Sequence, residues 1–256
     1  MKKLLLTILF CLMAHGAFAY DYTQDANCKG AWLFTEGSGT SVADASGHSN
    51  TGTFASSGHP AWAAMSGTGA PSYSPYMVHF DSSASDWISC GTSDTLNITG
   101  DLTIVFWASR ISGNRGTLFT RVLANPAYGY ITSLEDNVRY HTNNTDWRTA
   151  NTPIGANWHH YAVVVVANTG GTFYLDGSPD GTWTNNPSGA STASSAIAQI
   201  GKTFDSLYYN GYATEIAVFN QALSSTEITD IYNNGLKGST PPSGGQMTTN
   251  SRYWGN

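Results

Sequence analysis

Charge is scarce in this chain. Only 11% of its 256 residues are Asp, Glu, Lys or Arg, and seventeen acids against eleven bases leave a net charge of −6. Such a surface repels phosphate backbones and anionic bilayers, so nucleic-acid and membrane-surface partners are disfavoured. Glutamate is rarer still, confined to Glu36, Glu135, Glu215 and Glu227. No Gly-x-Ser-x-Gly elbow exists to expose a serine nucleophile, and neither Cys-x-x-Cys nor His-Glu-x-x-His is present to hold zinc. Outside the first twenty residues no apolar run approaches the roughly 20 residues of a membrane span. The surface is instead made of hydroxyls, amides and rings, because Ser, Thr, Asn and Gly abound and aromatics reach 12%.

The start of the chain has its own pattern. Lys2 and Lys3 precede an apolar stretch from Leu4 to Met13, and Ala17-Phe18-Ala19 suits signal peptidase, so residues 1–19 read as a signal peptide. The mature chain is then expected to begin at Tyr20, in a secreted, periplasmic or cell-surface location. Export would remove Cys11 and leave Cys28 and Cys90 in an oxidising compartment, where an even pair is expected to form a disulfide. The alternative is two separate buried thiols.

From Tyr20 to Gly238 turn signals recur about every ten residues, as in DASGHSN, EDN, LDGSPDG and NPSG. Runs rich in Val, Ile, Phe, Tyr and Trp lie between them, which is all-β spacing. GAWLF (30–34), YMVHFD (76–81), DWISC (86–90), LTIVFWASR (102–110), GTLFTRV (116–122), NVRYHT (137–142), WHHYAVVVV (158–166), GTFYLDG (171–177), AIAQIG (196–201) and ATEIAVF (213–219) read as strands. They predict a single two-sheet antiparallel β-sandwich over residues 20–238. One short C-terminal helix follows, started by a capping box of Ser224 and Glu227 and stopped at Asn233-Asn234-Gly235. Residues 239–256, with a Pro-Pro pair and no periodicity, read as a disordered tail or linker.

Four stretches, in order, carry a resemblance: GAWLFTEGSGTSVADASGHSNTGTF (30–54), LTIVFWA (102–108), NWHHYAVVVV (157–166) with FYLDG (173–177), and YATEIAVFNQALSSTEI (212–228). Together they resemble the laminin-G-like, concanavalin-A-type jelly-roll domains of exported bacterial proteins. The resemblance implies two antiparallel sheets, a face often used for ligands and frequently a structural calcium ion. Function stays open, since this fold hosts lectins, adhesion modules and enzymes.

Calcium takes six to eight oxygens. Asp44 and Asn50 in DASGHSN could supply some, and the resemblance implies that Glu215 on the last strand completes the shell, although Thr214 stands where the family has a second acid. The alternative for Asp44 is an Asx turn. Glycosidases on this fold need two carboxylates flanking the bond, usually as Glu-x-Asp-x-x-Glu on one strand, and no such stretch exists here. Polysaccharide lyases on jelly rolls use Tyr and His with Arg, which Arg121, Arg139, Tyr140 and His141 could supply, without that family's motifs. His159 and His160 are neighbours on a strand and face opposite sides, so they read as scaffold.

Binding is the reading with most support. Sugars stack on aromatic faces while amides and Arg bond their hydroxyls. Trp62, Trp147, Trp183, Tyr128, Tyr208 and Tyr209 all read as loop aromatics, and in NNTDWRT Trp147 stands among Asn144 and Arg148. The expectation is a glycan- or polysaccharide-binding module led by Trp147, Tyr208 and Tyr209. Alternatives are a polysaccharide lyase or hydrolase, and an adhesion module for a surface protein.

Overall fold

A computed structural model describes residues 20–55, 59–111, 116–122, 129–142, 146–184, 196–203 and 206–238, with only the backbone at 146 and 147. The expected leader and tail fall outside these residues. Sixteen strands and one helix are present among those described.

In chain order the first eight strands are β1 (Cys28–Trp32), β2 (Ser41–Val42), β3 (Gly52–Phe54), β4 (Ala61–Ala64), β5 (Tyr76–Phe80), β6 (Ile88–Ser89), β7 (Leu102–Arg110) and β8 (Gly116–Val122). The next eight are β9 (Gly129–Leu134), β10 (Asn137–Thr142), β11 (Asp146–Pro153), β12 (His159–Val166), β13 (Gly170–Leu175), β14 (Ser178–Thr184), β15 (Ala198–Ile200) and β16 (Gly211–Phe219). The helix α1 runs over Ser225–Asn234. All ten expected strands occur; β2, β3, β4, β9, β11 and β14 are additional.

Two antiparallel sheets face each other. The first runs β14-β13-β12-β7-β16-β5-β4, with β1 also paired to β16; the second runs β11-β10-β9-β8-β15-β6-β3-β2. This is the expected jelly-roll sandwich. Between the sheets lies the main core, which includes Trp32, Phe80, Ile88, Phe106, Phe119, Tyr140 and Val163. Burying a large apolar side chain contributes about 1.5–3 kcal/mol, so this layer dominates stability.

The first sheet is covered on its outer side as well. There Val105, Ala162, Val164, Ala217 and Phe219 pack with Ile228 and Ile231 of α1. A sheet buried on both faces needs near-continuous apolar strands, which is why LTIVFWA and HYAVVVV do not alternate. The capping box forms as expected: Ser224 Oγ accepts from Glu227 N at 3.3 Å, and Glu227 Oε2 accepts from Ser224 N at 2.7 Å. Asp176 (φ 48°) and Gly177 (φ 76°) close the β13–β14 hairpin, as two left-handed residues in a tight turn do.

The cysteines correct the sequence expectation. Cys28 and Cys90 are both free and buried. Cys28 belongs to the cluster under α1 and Cys90 to the core between the sheets, so one sheet separates the thiols. Burial pushes the Cys28 thiol up to about 12 and Cys90 well above its usual range, as expected of inert structural cysteines.

Candidate functional site: the outer face of the second sheet

Among the described residues no helix packs on the second sheet. Its inner rung, in register, is Phe54, Ile88, Ile200, Phe119, Thr132, Tyr140 and Arg148. The next rung points the other way: Ser41, Thr53, Ser89, Gln199, Thr120, Ile131 and His141, with Trp147 as the backbone register partner of His141. A shorter parallel rung joins Thr117, Ser133, Arg139 and Thr149. Alternation along strands therefore builds a face of hydroxyls, one amide, one imidazole and one guanidinium, interrupted by Ile131.

This face is open at one side and closed at its centre. Ser41 and Thr53 are exposed, whereas Thr117, Thr120, Ile131, Ser133 and His141 are each at most 2% exposed. Within it the Thr117 and Thr120 hydroxyls, the Ser133 hydroxyl and the Gln199 amide oxygen are shut off from solvent with no hydrogen-bond partner. Buried polar atoms are nearly always paired, and each orphan costs about 1–3 kcal/mol. Four such atoms fall on this one face.

At the open side the row meets aromatic surface. Trp87, two residues before Ser89, falls on the same side by alternation and is half-buried. The Lys202 ammonium lies 4.5 Å from the Trp87 ring centre and 5.6 Å from that of Tyr208. Lys202 and Tyr208 are bridged across a tight loop whose stem holds Tyr209 N to Gly201 O at 2.9 Å.

The expected ligand residues divide. Trp147 pairs in register with His141 in β11, so it is a strand residue and not a loop one. Arg148, its neighbour, takes the inner rung opposite Tyr140. Tyr208 faces outward beside Lys202, but Tyr209 is 1% exposed in the core, its hydroxyl donating to Ser109 O at 3.0 Å. The expected Tyr208–Tyr209 platform is thus corrected to one ring, since successive extended residues face opposite ways. Trp62 and Trp183 also lie in strands and pack on the core. Tyr128 and Asn144 fall outside the described residues. Sequence reasoning misses Trp87 because it opens an apolar run; apolar Ile88 and Cys90, two residues apart and so on one side, were the signal that puts Trp87 on the other.

The lyase assembly does not gather either. Tyr140 stacks on Trp183 inside the core, with ring centres 6.0 Å apart. Arg121 is fully buried and donates to Ser93 O at 2.7 Å. Only Arg139 and His141 face outward, and Arg139 pairs with Glu135 at 2.7 Å.

Of the residues expected to hold calcium, Asp44 and Asn50 lie in the β2–β3 connection and Glu215 in β16 of the first sheet, and they bond mainly to backbone groups. Asp44 Oδ1 accepts from Ala31 N and Ser46 N, both at 2.9 Å, and its Oδ2 accepts from Asn50 N at 2.8 Å. Asn50 donates to Lys29 O at 2.7 Å and to Thr95 Oγ1 at 3.0 Å. Glu215 lies at a bulge in β16 with φ 46° and accepts from Leu236 N at 3.1 Å. Thr214, where the family has its second acid, is fully buried and bonded to Ser74 Oγ at 2.9 Å. Among the described residues no three His, Cys, Asp or Glu gather in one place, and the Asp44 oxygens are engaged by backbone N–H groups.

His160 is buried between Trp107 and Tyr232, at 5.5 and 5.9 Å between ring centres, with both ring nitrogens unpartnered. Burial drives it down to about 3 and keeps it neutral. His159, on the opposite side, binds Asp176 Oδ2 at 2.7 Å. One other concavity, of about 360 Å³, is lined by Lys29, Asp94, Asn97, Asp101 and Asn220 and holds no aromatic ring. No helix among the described residues is long and apolar enough to cross a membrane.

Solved structures share this architecture. Domain 4 of the extracellular GH43 arabinanase AbnA from Geobacillus stearothermophilus, solved in complex with arabinotriose, superposes with a TM-score of 0.63 at 14% identity, over 80% of this chain and 98% of that one. The binding domain of Paraclostridial Mosquitocidal Protein 1 gives 0.60 at 15% identity, over 82% of this chain and 52% of that one. The botulinum neurotoxin serotype G binding domain gives 0.56 at 13% identity, over 80% and 50%. This chain therefore spans about half the length of the two toxin fragments. A search of curated protein sequences finds no match. The profile of the Laminin_G_3 family, Concanavalin A-like lectin/glucanases superfamily, matches residues 81–229, more than half of the chain. With the two-sheet sandwich and its matching strands, the chain belongs to that family.

Proposed function

We propose that this chain is a glycan-binding module that takes its ligand on the outer face of the second sheet. The observation that carries this reading is the open side of that face, where exposed Ser41 and Thr53 and half-buried Ser89 and Gln199 run up to the half-buried rings of Trp87 and Tyr208. Hydroxyls and an amide spaced along strands suit the hydroxyls of a sugar chain, and half-buried Trp87 and Tyr208 offer apolar surface for a pyranose face. An arabinanase domain of the same fold solved with arabinotriose supports the reading. Residues 1–19 and the hydroxyl-rich surface fit an exported protein that meets polysaccharide outside the cell. We assign the module no chemistry of its own, because the chain's four glutamates have structural partners. Glu36 accepts from Ala43 N, Glu135 pairs with Arg139, Glu215 accepts from Leu236 N and Glu227 caps α1.

The test is affinity electrophoresis and calorimetry against a panel of plant and algal polysaccharides, read also for new reducing or unsaturated ends. At least one glycan should retard the protein without product, and Trp87→Ala and Gln199→Leu should weaken it about tenfold, a loss of about 1.4 kcal/mol. Retardation by no glycan would overturn the reading. Product that vanishes in Arg139→Ala or His141→Ala would replace it with an enzyme.

A further inference from the structure

Lys202 is placed unlike Lys29, Arg121 and Arg139. Lys29 donates to Ala26 O, Arg121 to Ser93 O, and Arg139 pairs with Glu135. The Lys202 ammonium lies against the Trp87 and Tyr208 rings, and among the described residues no carboxylate pairs with it. All three side chains are half-buried, so rings and ammonium both keep a solvent side. The cluster stands at the open side of the hydroxyl row, next to Ser89 and to the unpartnered Gln199 amide oxygen.

We infer that Lys202, with Trp87 and Tyr208, forms a subsite for the anionic group of an acidic glycan, either a uronate carboxylate or a sulfate ester. The inference rests on the glycan-binding reading above and adds the ligand's charge. A cation held against two rings is already ordered, so less rotamer freedom is lost when an anion arrives. The ammonium supplies the charge-assisted bond, the rings supply apolar surface to the same sugar residue, and the hydroxyl row receives the next. The chain as a whole carries a charge of −6, so general attraction does not draw a polyanion to it; selectivity for one has to come from a local cation.

Calorimetry on the whole protein tests this with three length-matched ligands: a neutral polysaccharide, a polyuronate and a sulfated galactan. An acidic ligand should bind at least about tenfold more tightly than the neutral one. Lys202→Gln should lower acidic binding to near the neutral value, a larger fall than any it causes in neutral binding, and Lys202→Arg should retain most of the advantage. The uronate and sulfate arms identify which anion is preferred. If Lys202→Gln folds poorly, salt gives the second readout: acidic binding by the wild type should weaken from 50 to 500 mM NaCl while neutral binding holds. Equal affinity for neutral and acidic ligands, untouched by Lys202→Gln or by salt, would overturn the acidic subsite and leave the glycan reading standing. Binding of none of the three would overturn both.

Discussion

The Glu215 carboxylate accepts a hydrogen bond from Leu236 N at 3.1 Å, tying a bulge in β16 to the residue just past α1. Burial, only partly offset by that bond and by Lys237, raises this carboxyl to about 7 from an ordinary 4.5. The folded protein therefore holds the proton between those values and the unfolded chain does not. The stabilisation is full below about 4.5 and is lost as pH rises through about 7, on the order of 3 kcal/mol in total. Urea unfolding of wild type and Glu215→Gln at pH 5 to 8 should show the wild type losing ground steadily to the variant. A constant difference would sink the assignment.

His160 runs in the opposite direction. Its folded value of about 3 lies below the ordinary 6.5, so its neutral form stabilises fully above 6.5 and that stabilisation falls away as pH drops towards 3. His160→Phe keeps the ring between Trp107 and Tyr232 and removes two unpartnered nitrogens. Its melting temperature should stay within a few degrees of wild type at pH 7.5 and exceed wild type at pH 4.5. Equal acid sensitivity in the two proteins would show that His160 is not the group being charged.

The separated thiols make a chemical prediction. Iodoacetamide should alkylate Cys28 and Cys90 in the denatured protein without prior reduction and spare both in the native protein, and reductant should leave the melting temperature unchanged. A mass that shifts only after reduction would show a disulfide and displace β1 or the segment after β6.

Ser224→Ala removes the acceptor for Glu227 N. Losing such a cap costs about 1 kcal/mol, and because α1 covers the outer face of the first sheet the loss should appear in global urea unfolding. Ser224→Asp should restore it.

Calcium has a direct test. Asp44 already receives three backbone N–H groups, so chelator and 5 mM calcium should give the same melting temperature. A rise with calcium that Asp44→Asn abolishes would show that the ion displaces those donors, as a ligand bound only by the native state stabilises it.

Long buried strands were legible because their composition is constrained on both faces. LTIVFWASR gives β7 at its full extent, and Ser224 with Glu227 announces α1. The missed strands lack that signal. β2 and β3 are two and three residues long, too short for a period, and DWRTANTP in β11 is an edge strand whose polar residues imitate a loop. The candidate face was hidden for the same reason. Thr53, Ser89, Gln199, Thr120 and His141 come from five separate strands, and only register lines them up. Asp44 and Glu215 are ambiguous in another way, since in sequence a carboxylate serving backbone N–H groups looks like one awaiting a metal.

The last strand is the keystone of the first sheet. β16 pairs with β7 along its length, with β5 at its start and with β1 at its end, while Tyr22 N reaches Leu236 O at 2.8 Å. A nascent chain halted before Gly211 would carry β7 and β5 half-paired and β1 without its strand partner, so the first sheet cannot be completed progressively from its beginning. Its commitment to fold should come late and in one step, leaving a long interval in which chaperones, and not the sandwich, must shield those edges.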